Sequence, residues 1–571
     1  MVDRILTATS IITMEVSSPR AEAVAVSDGR IVAVGALAQC QAVLPGAVVV
    51  DTGAAVLMPG FVESHSHPLV SGIATQAPAQ SIAPWDAPTW AEVLDIFAAA
   101  HASTPADKPL LFTGFDALLH ERPAPTTETL DEIFGDRVAA VVDNSGHAIY
   151  FTTALIAKNG WDAHPPSDPV GGSFSRTADG TSLNGQAYEL PAVMAVAQPV
   201  MNELGGNPLH MGMEYYALMS RAGITSASDL TYNATLKAGY EAIATMPGTP
   251  LRISLYHVSV DEGCDLPLDS TVPEELLVKQ GIKLWADGSP WVGNVAISFP
   301  YLDTPATRLA NIDGSRAGES AMNYSRAQLD AILDKYAPSG LQMAFHVNGD
   351  LGFDVVLDAY ERALSTHGLL GTDHRWRVEH VGAARRDQFE RAARLGVHIS
   401  MGPFQFYYWG DLLDGQMFES EIGSQWQAFR DAFDSGAPVA FHNDGSVSPP
   451  TPLLNIQTAV TRRTRSGTLR GANQAVSLPE ALRAETIDAA RLLKREHLVG
   501  SIEVGKLADF VELSADPFEV DPRTLADSVA VLGTWLGGDR IDLDAFMEGS
   551  QTVNHEEHAG LAHAARAAHR C

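Results

Sequence analysis

Short apolar runs bounded by glycine or polar turn residues recur along this chain, and each is long enough for one β-strand. Helical periodicity lies between several of them; Ser325, for example, is placed to cap a helix with Leu329 and Leu333 on one face. The alternation predicts an α/β protein built on a (β/α)8 TIM barrel. We place the eight barrel strands near residues 60–65, 224–229, 251–257, 282–287, 341–346, 376–380, 397–401 and 438–443.

Two β-rich segments lie far apart, at the two ends of the chain. Residues up to about Leu57 form short β-like runs around Asp28-Gly29, a strong hairpin signal. Similar runs return at 509–513 and 529–532. Each segment is too small to fold alone, so we predict that they pair into one small β-sandwich made of residues 1–58 and 495–550, with the barrel inserted between them.

The gap between the first two barrel strands is much too long for an ordinary βα loop. It contains strand-like runs of its own at 110–115 and 138–142. We therefore predict an inserted α+β subdomain, which covers the barrel mouth as a lid. In this division the insert takes residues 72–210, the barrel takes 59–71 and 211–494, and the His-rich tail 551–571 is disordered or a frayed helical end, with a metal-binding tail as the alternative.

The first barrel strand leads into two closely spaced histidines. Because side chains alternate across a strand, His65 and His67 are expected to point the same way, with Ser66 turned aside. Two converging imidazoles form half of a metal site. The alternative interpretation is a pair of polar residues in a loop.

Later strands carry side chains that complete such a site. Lys283 lies inside an apolar run, and Asp444 closes the last predicted strand. His346 and His380 end two strands between them. Because a barrel keeps its active site at the C-terminal ends of its strands, all four are expected to converge on the two histidines of strand 1.

This order of ligands resembles the amidohydrolase superfamily, which has HxH on strand 1, lysine on strand 4, histidines on strands 5 and 6, and aspartate on strand 8. Within it, the chain is similar to the YtcJ-like branch, which includes N-substituted formamide deformylases. The resemblance covers residues from about 4 to about 546. The matching segments are PGFVESHSHP, GITSASD, IKLWADGS, HVNGD, RVEHV, HNDGS and GSIEVGKLADFVEL.

The resemblance implies a hydrolase that uses one or two divalent metal ions. His65, His67 and Asp444 are conventional ligands for one ion, and His346 and His380 suit a second. Zinc is the expected metal, although manganese, iron or cobalt also fit histidine and carboxylate ligands.

Lys283 has two interpretations. A free ammonium cannot ligate a cation, so the resemblance implies that carbon dioxide carboxylates Lys283 into an anionic bridge between two metal ions. The alternative is a buried lysine that is paired with Asp287 or Glu379.

Two further residues are assigned chemical roles. Asp444 is the candidate general base, which takes a proton from the attacking water and passes it to the departing amine. His147, in a segment of the insert that resembles a family segment near the active site, is a candidate for gripping the substrate carbonyl or carboxylate. A hydrogen-bonded structural histidine is the alternative for His147. His442 departs from the family, which usually has a small residue there.

An aromatic segment, Pro403–Trp409, follows the seventh predicted strand. Such a segment at the catalytic face predicts a site for an apolar or aromatic substrate group, with ordinary packing beneath the lid as the alternative. The family often has a histidine at the position of Phe406. The predicted substrate contacts are Trp285, Phe404, Phe406, Tyr407, Trp409 and His147.

Composition limits the partners. The formal net charge of −31 over 571 residues argues against nucleic acid or an anionic membrane as a partner, but it does not identify the substrate. The expected partner of the hydrolase is a small-molecule substrate. We find no apolar stretch of the roughly 20 residues that a membrane helix needs, and no secretory signal. The three cysteines are too few and scattered for a disulfide framework, so a cytoplasmic location is expected. A homodimer is compatible with the superfamily.

The leading functional hypothesis is hydrolysis of a non-peptide amide, such as an N-acyl or N-formyl amine. Ester, lactone or cyclic amide hydrolysis, or metal-dependent decarboxylation, are alternatives on the same barrel. A non-catalytic binding protein is a third hypothesis, and the intact ligand set argues against it.

Overall fold

The computed structural model describes residues 2–169, 172–259 and 261–549, so the predicted His-rich tail lies outside the described residues. Eight parallel strands pair in chain order into a nearly closed barrel, which confirms the (β/α)8 class. Side-chain and backbone hydrogen bonds bring the last strand beside the first. The barrel strands, numbered 1 to 8 below, are Phe61–Glu63, Ile224–Tyr232, Arg252–Val258, Leu277–Trp285, Gln342–Val347, Arg377–His380, His398–Met401 and Val439–Phe441.

Amphipathic helices surround the barrel strands. In Asp350–Thr366, Phe353, Leu357 and Leu364 recur at helical spacing and are fully buried in the barrel core. The predicted cap is confirmed, because the Ser325 hydroxyl accepts a hydrogen bond from the Gln328 N–H. The helices between and after the barrel strands are Pro208–Arg221, Lys237–Thr245, Pro305–Leu309, Arg326–Tyr336, Asp350–Thr366, Arg386–Leu395, Pro403–Leu413, Ser420–Gly423, Phe429–Asp434, Pro452–Thr461, Leu478–Ala484 and Ile487–Leu492.

Strands from both chain ends share one eight-stranded sheet. Asp28 and Gly29 have φ values of 48° and 75°, as a two-residue hairpin turn requires, and join two antiparallel strands. Arg252 of barrel strand 3 forms a buried ion pair with Asp509, with a shortest N–O distance of 2.6 Å, which fastens this sheet to the barrel. The strands are Arg4–Ile12, Arg20–Ser27, Arg30–Gly35, Val48–Asp51, Val56–Pro59, Phe510–Leu513, Val531–Leu536 and Asp539–Arg540; the accompanying helices are Leu37–Val43, Leu525–Ser528 and Leu543–Gly549.

The long segment after barrel strand 1 folds around a mixed six-stranded sheet of its own. Two of its strands fall at Leu110–Phe115 and Ala139–Asp143, where the sequence predicts strand-like runs. In the described part of the chain no helix is both long and apolar enough to cross a membrane. The other strands of this sheet are Gln80–Ser81, Ala148–Phe151, Ser173–Arg176 and Leu183–Tyr188, and its helices are Pro68–Thr75, Trp90–Ser103, Thr127–Phe134, Thr153–Lys158 and Leu190–Leu204.

Candidate metal centre at the barrel mouth

The two histidines of the HxH motif converge on the carboxylate that follows strand 8. His67 Nε2 lies 3.2 Å from Asp444 Oδ1, and His65 Nε2 lies 3.5 Å from the same oxygen. Both histidines follow the strand itself, in the short connection before the helix Pro68–Thr75. Their rings are nearly perpendicular, so two imidazole nitrogens approach one carboxylate oxygen from different directions.

Lys283, at the inner face of strand 4, lies beside the same pair. Its Nζ is 3.2 Å from His65 Nε2 and is buried, and burial lowers the pKa of Lys283 to about 8. Within the described residues Lys283 has no carboxylate within ion-pair distance. Asp287 instead accepts hydrogen bonds from backbone N–H groups, and Glu379 pairs with Arg377, so neither predicted structural partner holds the lysine.

His346 and His380 stand next to each other on strands 5 and 6. Their ring centroids are 4.6 Å apart, and His380 Nδ1 lies 3.9 Å from Asp444 Oδ2. Asp444 therefore lies between the HxH pair and the strand 6 histidine. His346 Nε2 lies 3.1 Å from the carbonyl oxygen of Gly288.

Backbone strain marks two of these residues. His380 and Asp444 have φ values of 71° and 59°, in the left-handed region that side chains other than glycine rarely adopt. Such conformations cost about 1–3 kcal/mol each and persist where surrounding structure enforces them. Here the strain turns both side chains into the barrel mouth.

The donor set fits a divalent cation. His65, His67 and Asp444 offer ligand atoms within 4.8 Å of one another, and so do His380, His442 and Asp444. His380 Nε2 is buried without a hydrogen-bond partner, which is costly unless it binds something. Imidazole nitrogen with carboxylate oxygen is a common ligand combination for zinc and related metals.

Burial keeps these histidines in the form that ligates metal. It lowers the pKa values of His65, His346 and His380 well below the ordinary value, so the rings are neutral. Burial alone would raise the pKa of Asp444, but the hydrogen bond from His67 and the neighbouring His380 hold it below its usual range. Asp444 is therefore an anion.

A buried ion pair orients His65 through Nδ1, the ring nitrogen that does not face Asp444. Glu379 Oε2 lies 2.7 Å from His65 Nδ1, and the same carboxylate pairs with Arg377 at 2.5 Å. From the sequence, Glu379 is predicted only as a partner for the buried Lys283. Its contact with His65 depends on the inward curvature of the barrel, which places strand 6 across from strand 1.

His442, the departure from the family pattern, is part of the centre. Its Nε2 lies 3.2 Å from His380 Nδ1, and its Nδ1 lies 2.7 Å from the Ser400 hydroxyl. Ser400 in turn hydrogen bonds to Ser64 at 2.9 Å. This chain of contacts holds the His380 ring so that its unpartnered Nε2 can bind a ligand. The sequence did not predict this role of His442.

His147 reaches the centre from the insert. Its Nδ1 lies 3.0 Å from Glu189 Oε2, and its ring centroid lies 5.3 Å from that of His346. Burial would lower the pKa of His147, but the Glu189 carboxylate beside it raises the pKa above the ordinary value. Asn294 donates to the other Glu189 oxygen at 2.5 Å, so a barrel loop holds the pair.

The aromatic side chains of the segment after strand 7 do not line the cavity, although Gln405 of the same segment does. It forms the helix Pro403–Leu413 rather than a loop, and most of its aromatic side chains pack inward. Trp409 is fully buried and donates to Asp116, and Phe406 lies beneath Arg462. Four of the predicted substrate contacts are therefore not placed to touch a molecule in the cavity, because they do not line it: Phe404, Phe406, Tyr407 and Trp409.

A cavity of about 1060 Å³ joins the barrel mouth to the insert. Its barrel side includes the ligand residues and Trp285, which was predicted to contact substrate, together with Trp291. Its insert side includes His147 and Glu189. The insert therefore covers the candidate centre.

A (β/α)8 barrel that gathers imidazoles, a carboxylate and a buried lysine at its strand ends defines a class of hydrolytic enzymes. The chain belongs to the amidohydrolase family, whose profile matches residues 48–542.

Three known proteins show the extent of the similarity. The chain is 27% identical to the N-substituted formamide deformylase of Arthrobacter pascens, over 92% of this chain and 96% of that protein. It is 26% identical to the protein YtcJ of Bacillus subtilis (strain 168), over 90% and 95% respectively. A metal-dependent hydrolase from Pyrococcus horikoshii OT3 shares the fold, with a TM-score of 0.69 and 21% identity over 91% of this chain and 99% of that one.

Proposed function

We propose that this hydrolase cleaves the carbon–nitrogen bond of a non-peptide amide, an N-acyl or N-formyl amine, in a metal-dependent reaction. The observation that carries the proposal is the convergence of His65, His67, His346 and His380 around Asp444, in a cavity that residues of the insert also line. The similarity to a protein named as a formamide deformylase supports an amide substrate.

The residues that would hold the metal are those of the candidate centre, with zinc as the proposed ion. A bound divalent cation supplies a water of lowered pKa and a Lewis acid for the carbonyl oxygen. The proposed ligands are His65, His67, Lys283 in its carboxylated form, His346, His380 and Asp444.

Asp444 is the proposed general base. Its carboxylate is anionic and faces the cavity, so it can take a proton from the attacking water and deliver it to the amide nitrogen. In the net reaction a C–O bond forms, the C–N bond breaks, and the products are a carboxylic acid and an amine.

His147 is the proposed electrophile for the substrate carbonyl or carboxylate. Glu189 holds its Nδ1 and favours its protonated form, which leaves the other ring nitrogen to donate a hydrogen bond. A positioned donor at a developing oxyanion contributes about 3–4 kcal/mol of transition-state stabilisation in comparable sites.

Carboxylation of Lys283 is part of the proposal. The neutral amine adds to the carbon of carbon dioxide, a new N–C bond forms, and a proton leaves to solvent, which gives a carbamate anion. The location of Nζ at 3.2 Å from His65, without a carboxylate partner among the described residues, supports this step. The mass of the intact holoenzyme, measured under native conditions, tests it.

The test of the function is amine release from a panel of aryl and alkyl N-formyl and N-acyl amides. We expect metal-stripped protein to be inactive and added zinc to restore release. Asp444→Asn should lower kcat by at least about a hundredfold, the range of a lost general base, whereas Asp303→Asn, at an exposed surface position, should leave it unchanged.

Two results would overturn the proposal. Amine release that does not depend on metal would exclude the centre as its source. Zinc-loaded protein that hydrolyses matched esters or lactones but none of the amides would move the function to the alternative reactions on this barrel.

A further inference from the structure

One helix of the insert forms a long apolar wall of the cavity. Leu190–Leu204 begins directly after Glu189, the residue that holds the lid histidine. Val193, Ala197 and Met201 line the cavity, and their spacing of four residues places them on one face of the helix. From Glu189 to Met201 the chain advances by twelve residues, which corresponds to about 18 Å of helix. This wall therefore begins beside the residue that contacts His147 and continues along the helix.

Two other helices form a second wall of the cavity. Val70 and Ala74 of Pro68–Thr75 face the cavity one helical turn apart. Leu218 of Pro208–Arg221 also lines it and is 38% exposed, an uncovered large apolar side chain. Both helices pack against each other, so this wall is continuous. We call the space between the two walls, defined by Val70, Ala74, Val193, Ala197, Met201 and Leu218, the apolar arm.

The cavity that contains the arm is larger than a small amide substrate needs. Drug-sized ligands fill pockets of roughly 300–1000 Å³, and this cavity measures about 1060 Å³. A formamide of a small amine would occupy only the end next to the ligands. Six aliphatic side chains face the arm, and Glu214 and Arg221 of Pro208–Arg221 also line the cavity near Leu218. Burial of hydrocarbon is the main interaction that the aliphatic side chains provide.

We infer that the apolar arm binds a long apolar chain attached to the amide that is hydrolysed. This rests on the proposed function and names its substrate class, an amide with an extended alkyl or acyl chain. The chain can belong to the amine or to the acyl half, since both halves meet at the scissile bond. Each methylene buried in the arm contributes to binding in proportion to its apolar area.

Two substrate series test the inference on the metal-loaded full-length protein. The first consists of N-alkyl formamides from ethyl to dodecyl, and the second of N-acyl methylamines of the same chain lengths. We expect kcat/KM to rise about fourfold per methylene in one series until the arm is filled. The series that responds identifies the half that carries the chain. No dependence on chain length in either series would overturn the inference.

A matched pair of variants locates the effect. Ala197→Phe fills the arm, and Ala195→Phe places the same side chain on the exposed face of the same helix. We expect Ala197→Phe to lower kcat/KM for the long substrate at least tenfold with little change for the short one. Ala195→Phe should leave both unchanged. If Ala197→Phe does not fold, Met201→Glu places a charge in the arm at a half-buried position.

Direct binding separates this inference from the proposed function. N-dodecyl and N-ethyl methanesulfonamide resemble the amides but are not hydrolysed, so their binding can be measured by calorimetry. Tighter binding of the dodecyl compound that is lost in Ala197→Phe supports the arm even if no amide is turned over. If short amides are hydrolysed in a metal-dependent reaction but both sulfonamides bind equally well, the proposed function holds and the binding of a long chain in the apolar arm is excluded.

Discussion

A histidine that contacts another histidine is unusual support for a candidate metal ligand, because carboxylates and carbonyls more often take that place. His442 occupies it here, between His380 and the Ser400 hydroxyl. When His442 accepts at Nε2, His380 carries its proton on Nδ1, which leaves the lone pair of His380 Nε2 for a ligand.

His442→Asn should therefore weaken metal binding. Loss of an outer partner of a ligand typically costs 10- to 100-fold in metal affinity, and we expect a change of that size in competition with a chelator of known affinity. His497→Asn, at an exposed position, is the matched control. Equal metal retention in both variants would show that His442 only fills space.

The ion pair behind His65 gives a second prediction at this scale. Arg377 and Glu379 are fully buried, so Glu379→Gln leaves a charge uncompensated in the barrel interior. We expect the free energy of unfolding to fall by about 3–5 kcal/mol in chemical denaturation. The exposed pair Arg386–Glu390 provides the control, and Glu390→Gln should cost less than about 1 kcal/mol. Similar losses in the two variants would contradict this assignment.

At the scale of elements, the crossing of two helices fixes the position of the HxH segment. Pro68–Thr75 starts immediately after His67, and at Gly72 it touches the backbone of Pro208–Arg221. A Cβ at Gly72 would lie 2.4 Å from the carbonyl oxygen of Met211. The glycine is therefore required by close backbone approach.

Gly72→Ala should push this helix outward and move His67 with it. We expect lower stability together with a loss of metal affinity, measured by thermal unfolding and metal content. Gly46→Ala is the control, because a Cβ there meets open space and only the left-handed backbone costs about 1–2 kcal/mol. Gly72→Ala protein that keeps full metal affinity would show that the crossing does not position the motif.

At the scale of the whole molecule, the barrel was predictable from the sequence because each strand is a local signal and the candidate ligands fall at strand ends. The Asp28-Gly29 turn and the Ser325 cap were predictable for the same reason. The support of His65 by Glu379 was not, because it joins strands that are far apart in the chain. The inward packing of the aromatic side chains in Pro403–Leu413 was not predictable, because composition does not say which face of this helix meets the cavity.

The barrel is joined differently between strands 8 and 1 than elsewhere. Seven parallel ladders link the strands in order, whereas this last junction is bridged by Asn443, whose N–H donates to the Glu63 carboxylate, and by Asp444, whose N–H donates to the His65 carbonyl. The HxH motif and the aspartate thus flank a seam. A cation bound by both would join strands 8 and 1 across this seam, so we expect metal binding to contribute to the closure of the barrel.

Removing the metal should lower the local stability at the junction between barrel strands 8 and 1. Amide hydrogen exchange should speed up in residues 61–67 and 439–448, while barrel strands 3 to 6 keep their protection. Uniform exchange with and without metal would show that the seam closes unaided. If the seam does not close without metal, the metal supply determines the stability of the enzyme as well as its activity.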